Sequence, residues 1–115
     1  MAKRGAGRLD LKVAFQRLAA GAVDGLNEPI EDWQHYAWAW AHRRDMSDQE
    51  RLAAGEEAGA LQARFVVRSN TKTRALTTDD RLVLRGVTWN IVGVKQLDQG
   101  RNTYMEITAV VASDG

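Results

Sequence analysis

Residues 81–94 read Arg-Leu-Val-Leu-Arg-Gly-Val-Thr-Trp-Asn-Ile-Val-Gly-Val. Two apolar runs, Arg81 to Leu84 and Val87 to Val94, flank Arg85-Gly86, a two-residue connection whose glycine can take the positive φ that tight hairpins need. The same period-two pattern recurs on either side. Toward the C terminus, Asp98-Gln99-Gly100-Arg101 marks a second tight turn, and Asn102 to Val111 follows with Met105, Ile107, Ala109 and Val111 on one face. Toward the N terminus, Leu61, Ala63, Phe65 and Val67 alternate with Gln62, Arg64, Val66 and Arg68. Tyr36, Trp38 and Trp40 alternate with His35, Ala37 and Ala39, and Leu9, Leu11, Val13 and Phe15 with Asp10, Lys12, Ala14 and Gln16. Six short strands at hairpin spacing predict a mainly β fold, a small antiparallel six-stranded β-barrel, because closure removes the exposed edges of such a sheet.

The alternation assigns Leu11, Val13, Phe15, Trp38, Trp40, Phe65, Val67, Trp89, Ile91 and Ile107 to the core, with Trp33 packed under a long loop. That loop, from Ala19 to Asp32, holds two glycines, Asn27 and the only proline, Pro29, and joins the first two strands as a long hairpin connection. Ser47-Asp48-Gln49-Glu50 is a capping box that starts one short inserted helix, weakened further on by Gly55 and Gly59. Residues 1–7 read as a flexible N-terminal tail and 8–115 as a single domain, in keeping with a length of 115 residues.

Sixteen basic and fifteen acidic side chains nearly cancel, which argues against a dedicated nucleic-acid binder. The near-neutral total hides three blocks. Lys3 to Arg17 carries five bases and one acid, Asp24 to Glu57 nine acids and three bases, and Arg64 to Arg85 six bases and two acids. Segregation of this kind suits self-association, in which oppositely charged faces of neighbouring subunits meet; solvated strand faces of differing sign are the plainer alternative. No cysteine is present, so disulfides, thiolate nucleophiles and cysteine zinc sites are excluded. No apolar run approaches the length of a membrane span and the first residues lack a signal sequence, so the expected setting is intracellular and soluble.

No catalytic, cofactor or metal site emerges, and the chain does not read as an enzyme. His35 and His42 are seven residues apart, which on a regular strand places them on opposite faces. Glu31-Asp32, Glu56-Glu57 and Asp79-Asp80 are adjacent pairs better explained by caps and turns than by acid/base work. Neither a glycine-rich phosphate loop nor a nucleophile elbow is present. The tryptophans have three readings: barrel core, a stacking platform for single-stranded nucleic acid together with Arg43, Arg44, Arg64 and Arg68, or an anchor for protein contacts. Their clean alternation favours the core.

The order of these pieces resembles the small head-tail adaptor or joining proteins of long-tailed bacteriophages, the head-closure or stopper group. The pieces are Gly7-Arg8-Leu9 and Lys12 to Arg17, Trp33 ahead of Trp38-Ala39-Trp40-Ala41, an acidic alanine-rich segment ending at Ala63, Arg64-Phe65-Val66-Val67-Arg68, Arg81 to Val94 with Gly86, Trp89 and Ile91, and Asn102 to Val111. The resemblance implies a virion protein assembled in the bacterial host cytoplasm, a ring of roughly six or twelve copies closing the neck of the DNA-filled capsid. Its implied partners are itself, a portal-adaptor ring above, a tail terminator or tail tube proteins below, and packaged DNA held without sequence specificity, with no membrane and no cofactor. On this footing Asp24, Glu28, Glu31 and Asp32 are expected to meet Arg64, Arg68, Arg74, Arg81 and Arg85 of an adjacent subunit. Arg43, Arg44, Asp45, Asp48, Glu50, Arg51, Glu56 and Glu57 are expected to line the lumen as a gate. A tail terminator or another connector ring is the nearest alternative, and a β-barrel that binds single-stranded nucleic acid the more distant one.

Overall fold

The computed structural model describes residues 9–45, 61–99 and 102–112. Six strands, β1 (Leu11–Leu18), β2 (Trp33–Asp45), β3 (Gln62–Arg68), β4 (Arg81–Leu84), β5 (Val87–Gln99) and β6 (Asn102–Val111), close into a barrel in the order β1-β2-β3-β6-β5-β4. Every pairing is antiparallel. The hairpin read from residues 81–94 is present: Leu84 pairs with Val87, and Arg85 and Gly86 sit at φ 52° and 82°. Two positive φ angles match the right-handed twist of the flanking strands. At the β5–β6 hairpin Gln99 pairs with Asn102, and the two turn residues between them lie outside the described residues, as does the expected helix from Ser47.

The interior is filled by Val13, Phe15, Phe65, Val67, Leu82, Trp89, Ile91 and Ile107, all essentially inaccessible. Phe65 and Trp89 meet edge to face, with ring centroids 5.2 Å apart. Leu11 is half-buried against this core. Two expected core residues are corrected: Trp38 and Trp40 are 59% and 56% exposed on the outer wall. Period two leaves either face of β2 free to turn inward, and volume decides between them. Ala37 lies opposite Phe15, Ala39 opposite Val13, and Ala41 opposite both Leu11 and Val67. Small side chains on β2 thus accommodate large ones on its neighbours in a narrow six-stranded interior, and the indoles are excluded.

A bulge in β2 changes a second expectation. Phe15 pairs with Ala37 but Gln16 with His35, so Tyr36 is the extra residue. One inserted residue resets the alternation, and His35 comes to the outer face with Trp38, their rings 4.8 Å apart. His42, next to the inward Ala41, shares that face rather than the opposite one, but seven residues of strand, roughly 23 Å, separate the two rings.

The chain crosses from β3 to β4 through a short helix, α1 (Thr71–Arg74). Asn70 caps it: its side-chain oxygen accepts from the Thr73 N–H at 2.9 Å, and the Thr73 hydroxyl accepts from the Asn70 N–H at 2.9 Å. The same buried hydroxyl donates to the Arg68 carbonyl at 2.8 Å, welding the helix to the end of β3.

The seam that completes the barrel is short, only Ala14 to Gln16 against Arg81 to Val83. Side chains reinforce it. Arg17 forks onto Asp80, Nε to Oδ1 at 2.8 Å and an Nη to Oδ2 at 2.9 Å, and also reaches the Ala75 carbonyl at 2.9 Å. Asp80 Oδ2 further accepts from the Thr77 N–H. Arg81 donates to Gln16 at 2.7 Å and lies 4.1 Å above the Trp33 ring. Tyr36 sits between the cations of Arg17 and Lys72, and its hydroxyl donates to the Lys72 carbonyl at 2.8 Å.

Burial pushes the Asp80 carboxyl up, yet the Arg17 hydrogen bonds and charge and the Thr77 donors outweigh it, leaving its pKa below the ordinary aspartate value. A depressed folded-state pKa gives stability that is present above the unfolded value of about 3.9 and lost as pH falls through the folded one. Acid unfolding curves below about pH 4 should therefore be steeper in the native chain than in Asp80→Asn. Arg17→Met, which strands a buried carboxylate, should cost about 2–3 kcal/mol at neutral pH. By denaturant unfolding, Phe65→Ala should cost about 3–5 kcal/mol and Trp40→Ala less than about 1 kcal/mol. Equal losses for these last two would contradict the outward placement of Trp40.

Candidate functional site

Two surfaces stand apart from the rest. The first is the outer wall around the displaced tryptophans. Lys12, on β1, is the cross-strand partner of Trp40 and holds its ammonium 4.7 Å from the Trp38 ring centre. Leu9 leaves β1 along the outside and packs with Val66, Tyr104 and Leu97 in a small second cluster. Between Leu9, Trp38, Trp40, Arg68 and Asn70 runs a groove of about 400 Å³. On the far side of Trp38 a shallower depression of about 510 Å³ is bordered by His35, Tyr36 and Asn70 to Lys72. The cations here are Lys12, Arg68 and Lys72, and Arg68 leans toward the Tyr104 ring at 6.0 Å. This wall is aromatic and basic.

The second surface is the segment from Ala19 to Asp32, which the sequence marks as a long connection. It is an ordered continuation of the β1–β2 hairpin. Ala19 donates to the Asp32 carbonyl at 2.8 Å, Ile30 to the Ala22 carbonyl at 3.1 Å, and Val23 bridges Pro29. Asp24 closes the tip: one carboxylate oxygen accepts from the N–H groups of Leu26 at 2.8 Å and Glu28 at 3.0 Å, and these bonds lower its pKa. Asn27 takes the left-handed conformation, φ 65°, that the turn requires. The arm carries Asp24, Glu28, Glu31 and Asp32 and no base, and it holds three apolar side chains in solvent, Leu26 at 84% exposure with Val23 and Ile30 beside it.

The other expected site residues distribute as follows. Arg68, Arg74 and Arg85 are exposed, Arg74 donating to Ser69 at 3.1 Å. Arg64 is half-buried opposite Arg44 and Thr108. Arg81 is half-buried along the barrel seam, on Gln16 and the Trp33 ring. Arg43 pairs with Asp45 at 2.9 Å, and Arg44 with Glu106 at 3.3 Å, at the end of β2. Asp48, Glu50, Arg51, Glu56 and Glu57 lie outside the described residues.

A family profile described as phage head completion protein matches residues 4–112. The chain belongs to that family. Head completion proteins are structural phage proteins, and no catalytic role attaches to the family match. Among solved structures, the solution structure of protein SF1141 from Shigella flexneri 2a is similar to this head completion protein at 22% identity and a TM-score of 0.72, covering 97% of this chain and 100% of that one. A chain of the virion of a native gene transfer agent particle is similar at 24% identity and a TM-score of 0.63, covering 93% and 98%. At these identities the likeness is one of fold. No curated protein sequence matches.

Sequence reasoning missed the arm's order and the aromatic wall. The arm had signals: an Asp two and four residues ahead of the amides it caps, and Asn27 at the turn. The wall had one, the run of alanines at alternate positions of β2. In solution, Leu26→Ser should leave the thermal midpoint within about 2 °C of the native value, since that side chain touches little of the fold. A large drop would show the arm tip to be packed.

Proposed function

We propose that this head completion protein is a ring subunit of the phage neck, closing the DNA-filled capsid below the portal and its adaptor and presenting a docking surface to the tail. The observation that carries the reading is the family match across residues 4–112. The likeness to a chain within a gene transfer agent virion supports it. So does the fold, a small closed barrel whose described residues hold no cluster of metal-ligating side chains and carry surfaces of opposite charge on different parts of the wall.

In this reading the barrel, residues 8–115 with a short leading tail, acts as one unit. Asp24, Glu28, Glu31 and Asp32 face Arg68, Arg74 and Arg85 of a neighbour, with Arg64 at the margin. A modest contact repeated around a ring is multiplied into a stable assembly. The segment from Arg43, at the end of β2, through the connection to β3 supplies the obstruction to DNA; its acidic residues repel phosphate rather than hold it, so DNA is retained without being gripped. Assembly takes place in the bacterial cytoplasm and the protein resides in the virion.

Reversing Arg68 and Arg74 to glutamate together should reduce incorporation into particles at least tenfold, and in native particles incorporation should weaken with rising salt. Incorporation unchanged in both cases would refute the charge pairing. Deleting residues 48–59 should yield particles that lose their DNA; particles that stay filled would exclude the gate.

One observation favours a second reading. Trp38 and Trp40 are exposed beside Lys12 and Arg68, the composition of a stacking platform for single strands. That reading requires micromolar or tighter binding of an oligonucleotide with a steep salt slope, whereas the ring subunit should bind free DNA only weakly.

A further inference from the structure

We infer that the arm and the aromatic groove are the two halves of one contact: Leu26 at the arm tip of one copy inserts into the groove between Leu9, Trp40 and Arg68 of the next. The inference rests on the ring reading and supplies it with an apolar key in addition to charge.

Four observations lead to it. Leu26 is the most exposed large apolar side chain of the described residues, and it is held out on a structured hairpin rather than a floppy loop. Asp24 and Asn27 fix the tip before any partner arrives, so docking gives up little conformational entropy. The groove is lined on both sides by apolar groups, Leu9 and the two indoles, and is large enough to receive a leucine. Finally, the charges match: the arm bears only acids, while Arg68 lines the groove, Lys12 stands beside its two indoles, and Lys72 borders the adjoining depression. Rim charges of opposite sign steer the approach and fix the register, while the apolar centre supplies the hold.

The two halves cannot meet within one chain. The arm continues the hairpin past Leu18 and Trp33, while Trp38 and Trp40 lie in the other direction along β2, with Trp38 roughly 17 Å from Trp33 at the rise of a strand. Key and groove are different patches of the surface, so the contact is head-to-tail. Such contacts propagate from copy to copy and close into a ring where the rotation permits. The arm is thereby the element that sets subunit order, and the groove is filled by a second copy of this chain.

The absence of native cysteine allows a direct test in assembled particles. Gly25 has a negative φ and open space where a Cβ would stand, so Gly25→Cys leaves Leu26 and the turn intact. Lys12→Cys places a thiol directly beside Trp38 and Trp40. In particles carrying both changes in every copy, a short bismaleimide should give a ladder running from dimer up to the closed ring, and each single variant should remain monomeric. If imaging of the same particles shows a ring of this protein but the ladder is missing, the key-and-groove contact is overturned and the ring stands. If no ring is present, the neck reading itself fails.

A second variant separates apolar from ionic effects. Leu26→Asp should lower the yield of tailed, DNA-filled particles at least tenfold with the thermal midpoint unchanged, and Leu26→Met should restore it. Native yield from Leu26→Asp would overturn the proposal. So would a tenfold loss of oligonucleotide affinity in Trp40→Ala in the absence of the ladder, which would assign the groove to nucleic acid.

Discussion

The fork of Arg17 onto Asp80 holds together what the strands alone hold weakly. A six-stranded barrel is closed by its last seam, and here that seam is three residues of β1 against three of a four-residue β4. Few ladder hydrogen bonds can form over such a length. The crossover from β3, which must span one end of the barrel to deliver β4, is held at its start by Thr73 on the Arg68 carbonyl and by Tyr36 on the Lys72 carbonyl, and needs a further hold at its end. Arg17 supplies the tether by gripping both the carboxylate just ahead of β4 and the carbonyl of Ala75 just after α1. Asp80 is buried and Arg17 only partly so, which leaves Arg17 as the carboxylate's charged partner beside the Thr77 donors.

The tether also touches the bulge of β2. Tyr36 is the extra residue of β2, lying between Arg17 and Lys72 with its hydroxyl on the helix carbonyl. Because the bulge is anchored there, the residues after it alternate with alanines inward and tryptophans outward, while His35 before it shares the outer face. The aromatic wall thus lies on β2 beyond the bulge, and the arm continues the same β1–β2 hairpin from its other end. The exposed indoles take nothing from the core, which Phe15, Phe65 and Trp89 already fill.

Much of this was legible in the sequence, and the limits have physical causes. The strands were visible because one face of each is apolar, and the Arg85-Gly86 turn because a two-residue hairpin demands positive φ. The family resemblance lay in the order of these pieces. Which face of β2 points inward was not legible, since period two is symmetric between Trp and Ala and only the size of Phe15, Val13 and Val67 across the barrel breaks the tie. The bulge was invisible for the same reason: a single inserted residue leaves both flanking patterns intact. The helix Thr71–Arg74 is too short for periodicity, and its cap, an Asn answered by a Thr three residues on, is a quieter signal than the Ser47 capping box. The contact of Arg81 with Gln16 and Trp33 along the seam is a long-range one that composition does not carry.

In the proposed neck ring this barrel is one of many identical subunits, meeting its neighbours through an acidic arm on one side and a basic aromatic wall on the other. The most direct measurement is a reconstruction of the particle neck at a resolution that traces side chains. It should show this chain in a closed ring between portal and tail, each arm seated on the Trp40–Arg68 wall of the adjacent copy. A neck in which the chain is absent, or in which its copies stand apart without lateral contact, would contradict the account.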